Sequence, residues 1–268
     1  MKKLLLLLTL ALTTTACYED RIACLDPDAS NYDLRADDAC PDDCCTFPNL
    51  SVNFTRSFNG QPFSRDSVYV DGGGNRFQIQ RLRFYLGDIQ LLSGDRLLPT
   101  PENVIDVRTA TMGDTLATEV NDNNLLITTE GGNRAVGSYR GGVAELTGLS
   151  ANLGLLPRLG DIVPSSAPAT SPLSTQVGLL NFNDGRGYLQ ASLEYTLLAT
   201  GEALRTNVYG LEPFTLSFPQ AVAPRRGESL TVNVAVDYEV TFSAVNLLDE
   251  PEAFVKQLIE SLSITSVN

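Results

Sequence analysis

Between Arg76 and Leu92 the chain reads RFQIQRLRFYLGDIQLL, its longest run with strand character. Phe77 and Ile79 are apolar on one parity, Leu82, Phe84 and Leu86 on the other, and Ile89 and Leu91 return to the first. Side chains alternate faces along a strand, so each change of parity requires one inserted residue. The spacing predicts one strand kinked twice, near Gln80–Arg81 and near Gly87, by β-bulges or breaks. A helix fits less well, because these apolar positions do not follow a 3.6-residue period.

From Leu50 onward the chain reads as short strands separated by turn clusters. Leu50–Phe54 alternates, Asn59-Gly60 is a turn, and Asp71-Gly72-Gly73-Gly74-Asn75 is a flexible loop. Val104–Val107 and Leu125–Thr129 are short strands with polar Asn121–Asn124 between them. Gly131-Gly132 and Gly141-Gly142 bracket a segment whose Tyr139 and Val143 re-enter the sheet. Leu149–Thr175 contains Pro157, Pro164, Pro168 and Pro172 and loses alternation, which predicts a long loop, functional or covering an edge. Strands resume at Tyr188–Leu198, Phe214–Phe218 and Leu230–Phe242. Pro251 opens a helix over Glu252–Leu262, with Phe254, Val255, Leu258, Ile259 and Leu262 as its apolar stripe. Residues 49–268 therefore predict an all-β fold, an antiparallel β-sandwich with a C-terminal helix packed on it.

Two segments precede that unit. Residues 1–16 carry two lysines, a short apolar run and then small residues, the pattern of a secretory signal peptide. Thr14, Thr15 and Ala16 before Cys17 resemble a lipobox, which would make Cys17 the lipidated first residue of an outer-membrane protein. Acyl chains anchor by burying methylenes at ~0.8 kcal/mol each. Glu19 and Asp20 resemble an acidic signal for surface display, or read as a solvated tether.

Residues 17–48 hold nine acids against Arg21 and Arg35, with few residues able to build a core. Cross-links should supply the order. With Cys17 lipidated, Cys24, Cys40, Cys44 and Cys45 allow three pairings. The one that joins Cys44 to Cys45 demands a strained vicinal ring. Cys24–Cys44 with Cys40–Cys45, and Cys24–Cys45 with Cys40–Cys44, both stay open. The clustered carboxylates, including Asp26, Asp28, Asp37 and Asp38, suit Ca²⁺, although their spacing is not that of an EF-hand.

The absences constrain chemistry further. The chain has no His and no Trp, and its methionines are Met1 and Met112. It lacks the usual general base, the commonest nitrogen ligand and a thioether cluster. A serine triad would need Lys256, the one lysine beyond the signal peptide, as its base. Paired carboxylates could hydrolyse a glycoside, but no Trp supplies a sugar platform. DGGGN at 71–75 is not a phosphate loop. The net charge of −13 opposes nucleic-acid binding, and losing Lys2 and Lys3 would make it two units more negative. Arg81 and Arg83 share one face of the long strand and need carboxylate partners if that face is internal; Asp88 and Asp106 are nominal candidates. Asp66-Ser67-Val68 and Asp114-Thr115-Leu116 resemble short O-glycosylation acceptors of envelope proteins.

Eight segments carry a resemblance: LSVNF (50–54), NGQPF (59–63), the 26 residues from Asp66 to Leu91, GSYRGG (137–142), SPLST (171–175), GLLNFN (178–183), GYLQASLEY (187–195) and TVNVAVDYEVTF (231–242). Over roughly residues 49–250 the chain resembles the MbnP-like domain family. The resemblance implies a secreted or outer-membrane β-sandwich protein, of a family in which some members bind copper through His and a modified Trp. Here Asn181 and Asn183 stand where indoles would, and Ser171 where His often precedes Pro-Leu. That departure removes the family's copper ligands. Asn181, Asn183 and Asp184, or the run Asn121–Asn124, offer oxygens suited to Ca²⁺ instead. The expectation is a non-enzymatic, lipid-anchored surface protein that binds an envelope protein or an extracellular ligand. The alternative is a metal-handling protein, for copper or calcium, or an accessory to a haem peroxidase-like enzyme.

Overall fold

A computed structural model describes residues 19–41, 44–111, 114–140, 142, 144–177 and 187–268. The signal peptide and Cys17 lie outside them. Two paired dipeptides, β1 (Ile22–Ala23) and β2 (Asp38–Ala39), belong to the cysteine-rich segment. There follow β3 (Asn49–Phe58), β4 (Gln61–Pro62), β5 (Tyr69–Val70), β6 (Arg76–Ser93), β7 (Arg96–Leu97), β8 (Val104–Thr111), β9 (Asp114–Asn121), β10 (Leu125–Ile127), β11 (Gly132–Ser138) and β12 (Leu146–Leu153). After a long loop come β13 (Ala191–Leu197), β14 (Glu202–Val208), β15 (Glu212–Val222) and β16 (Leu230–Asp237). Helices α1 (Tyr238–Ser243) and α2 (Phe254–Glu260) precede a closing strand, β17 (Leu262–Val267).

The larger sheet runs β14-β13-β6-β12-β15, with β5, β7 and β10 also paired to β6; the smaller runs β11-β3-β16-β17, with β4 on β3. Their facing sides form one core, in which Phe77, Ile79, Leu82, Phe84, Leu86, Ile89 and Leu91 of β6 meet Leu50, Val52 and Phe54 of β3 and Val232, Val234 and Val236 of β16. The pairings within these sheets are antiparallel except one. Strand β16 runs parallel to β3, from Leu230 opposite Leu50 to Asp237 opposite Ser57.

Strand β6 is a single strand with both predicted bulges. Glu194 pairs with Arg81 and Tyr195 with Ile79, which leaves Gln80 as the extra residue. Ser150 pairs with Gln90 and Asn152 with Gly87, so Asp88 and Ile89 together oppose one residue of β12. Each insertion restores the apolar parity to the core. Arg81, Arg83 and Tyr85 consequently point to the other side of the sheet. There a second core gathers Tyr85, Val107, Leu155, Leu159, Ile162, Leu173, Tyr188 and Leu189. The proline-rich loop supplies Leu155, Leu159, Ile162 and Leu173, half of it, so this loop covers a sheet face rather than an edge. It also begins later than predicted, because Leu149–Leu153 belong to β12.

Four other expectations need correction. The strand predicted over Leu230–Phe242 stops at Asp237, whose carboxylate caps α1 by accepting the N–H of Glu239 at 3.1 Å. The helix predicted over Glu252–Leu262 is a 3₁₀ turn at Pro251–Ala253 followed by α2, and Leu262 opens β17, so a strand follows the helix. Strands β9 and β14 were not expected. The glycine loop at 71–75 is tied down: buried Asp71 accepts N–H groups from the Asn75 backbone, the Asn75 side chain and the Leu247 backbone.

In the cysteine-rich segment Cys24 pairs with Cys45 and Cys40 with Cys44, one of the two arrangements left open by the spacing. Cys24 and Ala29 are buried, yet neither belongs to the two sandwich cores. The segment meets the sandwich through polar contacts. Asp26 pairs with Arg140 at 2.9 Å, Asp28 with Arg226 at 3.8 Å, and Arg140 lies 3.8 Å above the Phe47 ring.

Candidate functional site

The outer face of β6 places Arg81 and Arg83 side by side, two residues apart. Across β13, Glu194 is the register partner of Arg81; across β14, Arg205 is the register partner of Glu194. Three guanidinium groups thus converge on one carboxylate oxygen, Glu194 Oε1, at 3.6 Å from Arg81, 3.5 Å from Arg83 and 4.0 Å from Arg205. Asp88 and Asp106, the nominal partners, are elsewhere. The second bulge turns Asp88 toward Gln90 and Asn123, and Asp106 sits in the β8–β9 hairpin opposite Glu119.

Only 6% of the Arg83 side chain is exposed. One terminal nitrogen donates to the Val177 carbonyl, the other faces Glu194, and Nε is buried without a hydrogen-bond partner. Burial, and then repulsion from Arg81, lower the pKa of this guanidinium, against the pull of Glu194. A cavity of about 320 Å³ opens beside it, lined by Arg65, Arg81, Arg83, Thr128, Glu130 and Gln176 among others.

A larger cavity of about 530 Å³ shares Leu126, Thr128 and Gln176 with the first, so the two adjoin across that ridge. Its floor is Asp122, 1% exposed, which accepts from the Ser171 hydroxyl at 2.6 Å and from the Asn124 amide at 3.0 Å. Burial raises the Asp122 carboxyl pKa, although both hydrogen bonds oppose the shift. The turn that carries Asp122 is keyed to the Asp88 bulge. Asn123 exchanges hydrogen bonds with the Ile89 backbone, and Asn124 Oδ1 accepts the Asp88 N–H. One groove therefore offers a cationic end and an end where a hydroxyl meets a buried carboxyl. A third cavity, of about 420 Å³, lies by Leu155, Tyr188 and Tyr209.

Among the described residues singled out from the sequence for a metal, Asp26, Asp28, Asp37 and Asp38, no three carboxylates gather around one point. Asp26 accepts from the Asp28 backbone and from Arg140, Asp28 faces Arg226, and Asp37 accepts from the Arg21 backbone. Among the described residues no three carboxylates approach within 4.8 Å; Cys40, Cys44 and Cys45 do, but all three are in disulfides. In the run Asn121–Asn124, the Asn121 and Asn124 side-chain oxygens accept backbone N–H groups and both Asp122 oxygens are engaged as above, so the run serves as a turn. Asn181, Asn183 and Asp184 lie outside the described residues. Ser171, where the family resemblance implies His, is the donor to Asp122. With no His in the chain and all described cysteines oxidised, these donors do not fit copper. Of the two glycosylation-like triplets, Thr115 is exposed and Ser67 half-buried.

Sequence reasoning missed Glu194, Arg205, Arg65 and Gln176. A signal existed for Glu194: in ASLEYTL the odd positions are apolar and the even ones polar, which puts Ser192, Glu194 and Thr196 on the outer face.

No curated protein matches the chain. A solved structure, MbnP from Methylosinus trichosporium, is similar at 15% identity over 75% of this chain and 79% of that one, with a TM-score of 0.42. The family model for MbnP matches residues 48–257, well over half the chain. The chain belongs to the MbnP family.

Proposed function

We propose that this chain is a non-enzymatic, lipid-anchored protein of the outer-membrane surface, with residues 17–48 as a tether and residues 49–268 as a binding domain. The observation that carries the binding role is the groove. Two adjoining cavities share a wall, and hydrogen bonds accepted by Asp122 and Asn124 and donated by Asn123 hold the floor of the larger one, so a ligand would meet a preformed site. The lipobox-like Thr14–Cys17 supports the anchor. The oxygen and guanidinium lining supports binding of a polar organic ligand over copper handling.

The chain is incubated with growth medium, separated by gel filtration, and its bound small molecules are identified by mass spectrometry. A molecule retained by the wild type should be lost from Ala169→Trp, which fills the larger cavity. Equal retention by both, or by neither, overturns the reading. Elemental analysis of the same preparation tests the metal-handling alternative, since one copper per chain surviving dialysis would displace the proposal. For the anchor, labelled palmitate should enter the wild type and not Cys17→Ser.

A further inference from the structure

We infer that the Arg83 end of the groove is a site for an oxyanion, a carboxylate or phosphate group carried by the ligand. The inference rests on the groove being a binding site and names the chemistry of one end. The sign of the local charge comes first. Among the described residues at the cavity, Arg65, Arg81 and Arg83 stand against Glu130 and the neighbouring Glu194, an excess of positive charge in a chain whose net charge is −13. A cluster that served only to brace the sheet would be expected to balance its charges, because like charges held together without compensation oppose folding.

The geometry points the same way. The three contacts to Glu194 span 3.5 to 4.0 Å. Charge-assisted N–H···O bonds are about 2.7–2.9 Å, and arginine–carboxylate pairs are commonly bidentate. No guanidinium is docked on Glu194 in that way; one oxygen is shared loosely among three. Arg83 lines the cavity with its Nε–H buried and unpartnered, and the more exposed Arg65 and Arg81 bring guanidinium groups, whose donors form a rigid fork matched to planar or tetrahedral oxyanions, to the same cavity. At the rim, the Thr128 hydroxyl oxygen already accepts from the Glu130 backbone, which leaves its O–H to donate inward. The volume of about 320 Å³ is enough for an anionic group with a short attachment.

Calorimetric titration of the purified mature chain, at constant ionic strength, uses inorganic phosphate in one arm and citrate in the other, with chloride as the reference. One-to-one saturable binding is expected in at least one arm, and the stronger arm identifies the class of anion. Arg81→Gln and Arg65→Gln, both on partly or fully exposed side chains, should weaken that binding at least tenfold with an unchanged melting temperature. Glu194→Gln should tighten it, because the competing carboxylate is neutralised. A bracing cluster would give the opposite pattern, with no saturable binding and Glu194→Gln merely less stable. If neither anion binds better than chloride, the oxyanion inference fails. The groove reading fails separately, on retention by Ala169→Trp.

Discussion

The side-chain oxygen of Asn124 accepts the backbone N–H of Asp88 at 3.2 Å, and Asp88 adopts a positive φ of 52°. The bulge that re-aims β6 is therefore latched by the same turn that floors the larger cavity. Asp is one of the few residues that tolerate this backbone region, so the latch completes a conformation the residue already permits. Asn124→Ala leaves that half-buried N–H without its partner, at a cost of about 1 kcal/mol. The urea midpoint should fall with an unchanged slope. An unchanged midpoint would show that the bulge holds without the turn.

Asp122 makes stability depend on pH. Burial raises its carboxyl in the folded state, so the folded protein keeps that proton to higher pH than the unfolded chain. The stabilisation it contributes is full below the unfolded pKa of about 3.9 and is lost as pH rises through the raised folded value. Asp122→Asn removes the titration. From about pH 4 upward the wild type should lose stability relative to the variant, as read from melting temperatures across the range. Parallel curves would mean that this carboxyl titrates at its ordinary value.

The glycine loop should tolerate substitution poorly despite its composition. A Cβ at Gly72 would collide with the Ser243 carbonyl, and the Gly72 N–H donates to both Phe242 and Val245. Gly72→Ala should cost roughly 1–3 kcal/mol, since the obstacle is backbone and cannot swing aside. Gly74→Ala, whose Cβ meets open space, pays only for its φ of 80° and should cost less. Denaturant midpoints of the two variants give the ranking, and equal losses would show that the loop moves aside.

The disulfides should stabilise only the N-terminal segment. Cys24–Cys45 spans a sequence separation of 21, and closing a loop of that size contributes about 3 kcal/mol in the chain-entropy model. The links from this segment to the sandwich include two ion pairs with partly exposed side chains, a class that typically contributes about 0–1 kcal/mol, and the stacking of Arg140 on Phe47. Mild reduction should hasten tryptic cleavage at Arg35 and leave the melting temperature of residues 49–268 unchanged. A joint loss would make the segment part of the sandwich's own stability.

How much of this was legible follows from what each residue costs when misplaced. Both bulges could be read because seven apolar side chains of β6 must all reach one core, and only two insertions allow it. Glu194 could not be identified as the arginine partner, since that depends on cross-strand register, which no local pattern encodes. Strands β9 and β14 are largely exposed and carry little hydrophobic signal. At Tyr238–Phe242 two periods coincide, because the buried pair is spaced by four residues and suits helix or strand. Val240, 41% exposed, is the position a strand would have buried.

The parallel pairing of β3 with β16 joins residues some 180 positions apart. Contacts of such range are slow to form, because the chain entropy of the intervening loop is lost before the pairing repays it. A growing polypeptide that has not yet reached Leu230 can pair β3 with β11 and β4 but cannot supply the strand at its other edge. The smaller sheet, with the core residues Val232, Val234 and Val236 that β16 brings, therefore closes only after Leu230–Asp237 has been made. The folding of β3 is thereby tied to the synthesis of a strand made some 180 residues after it.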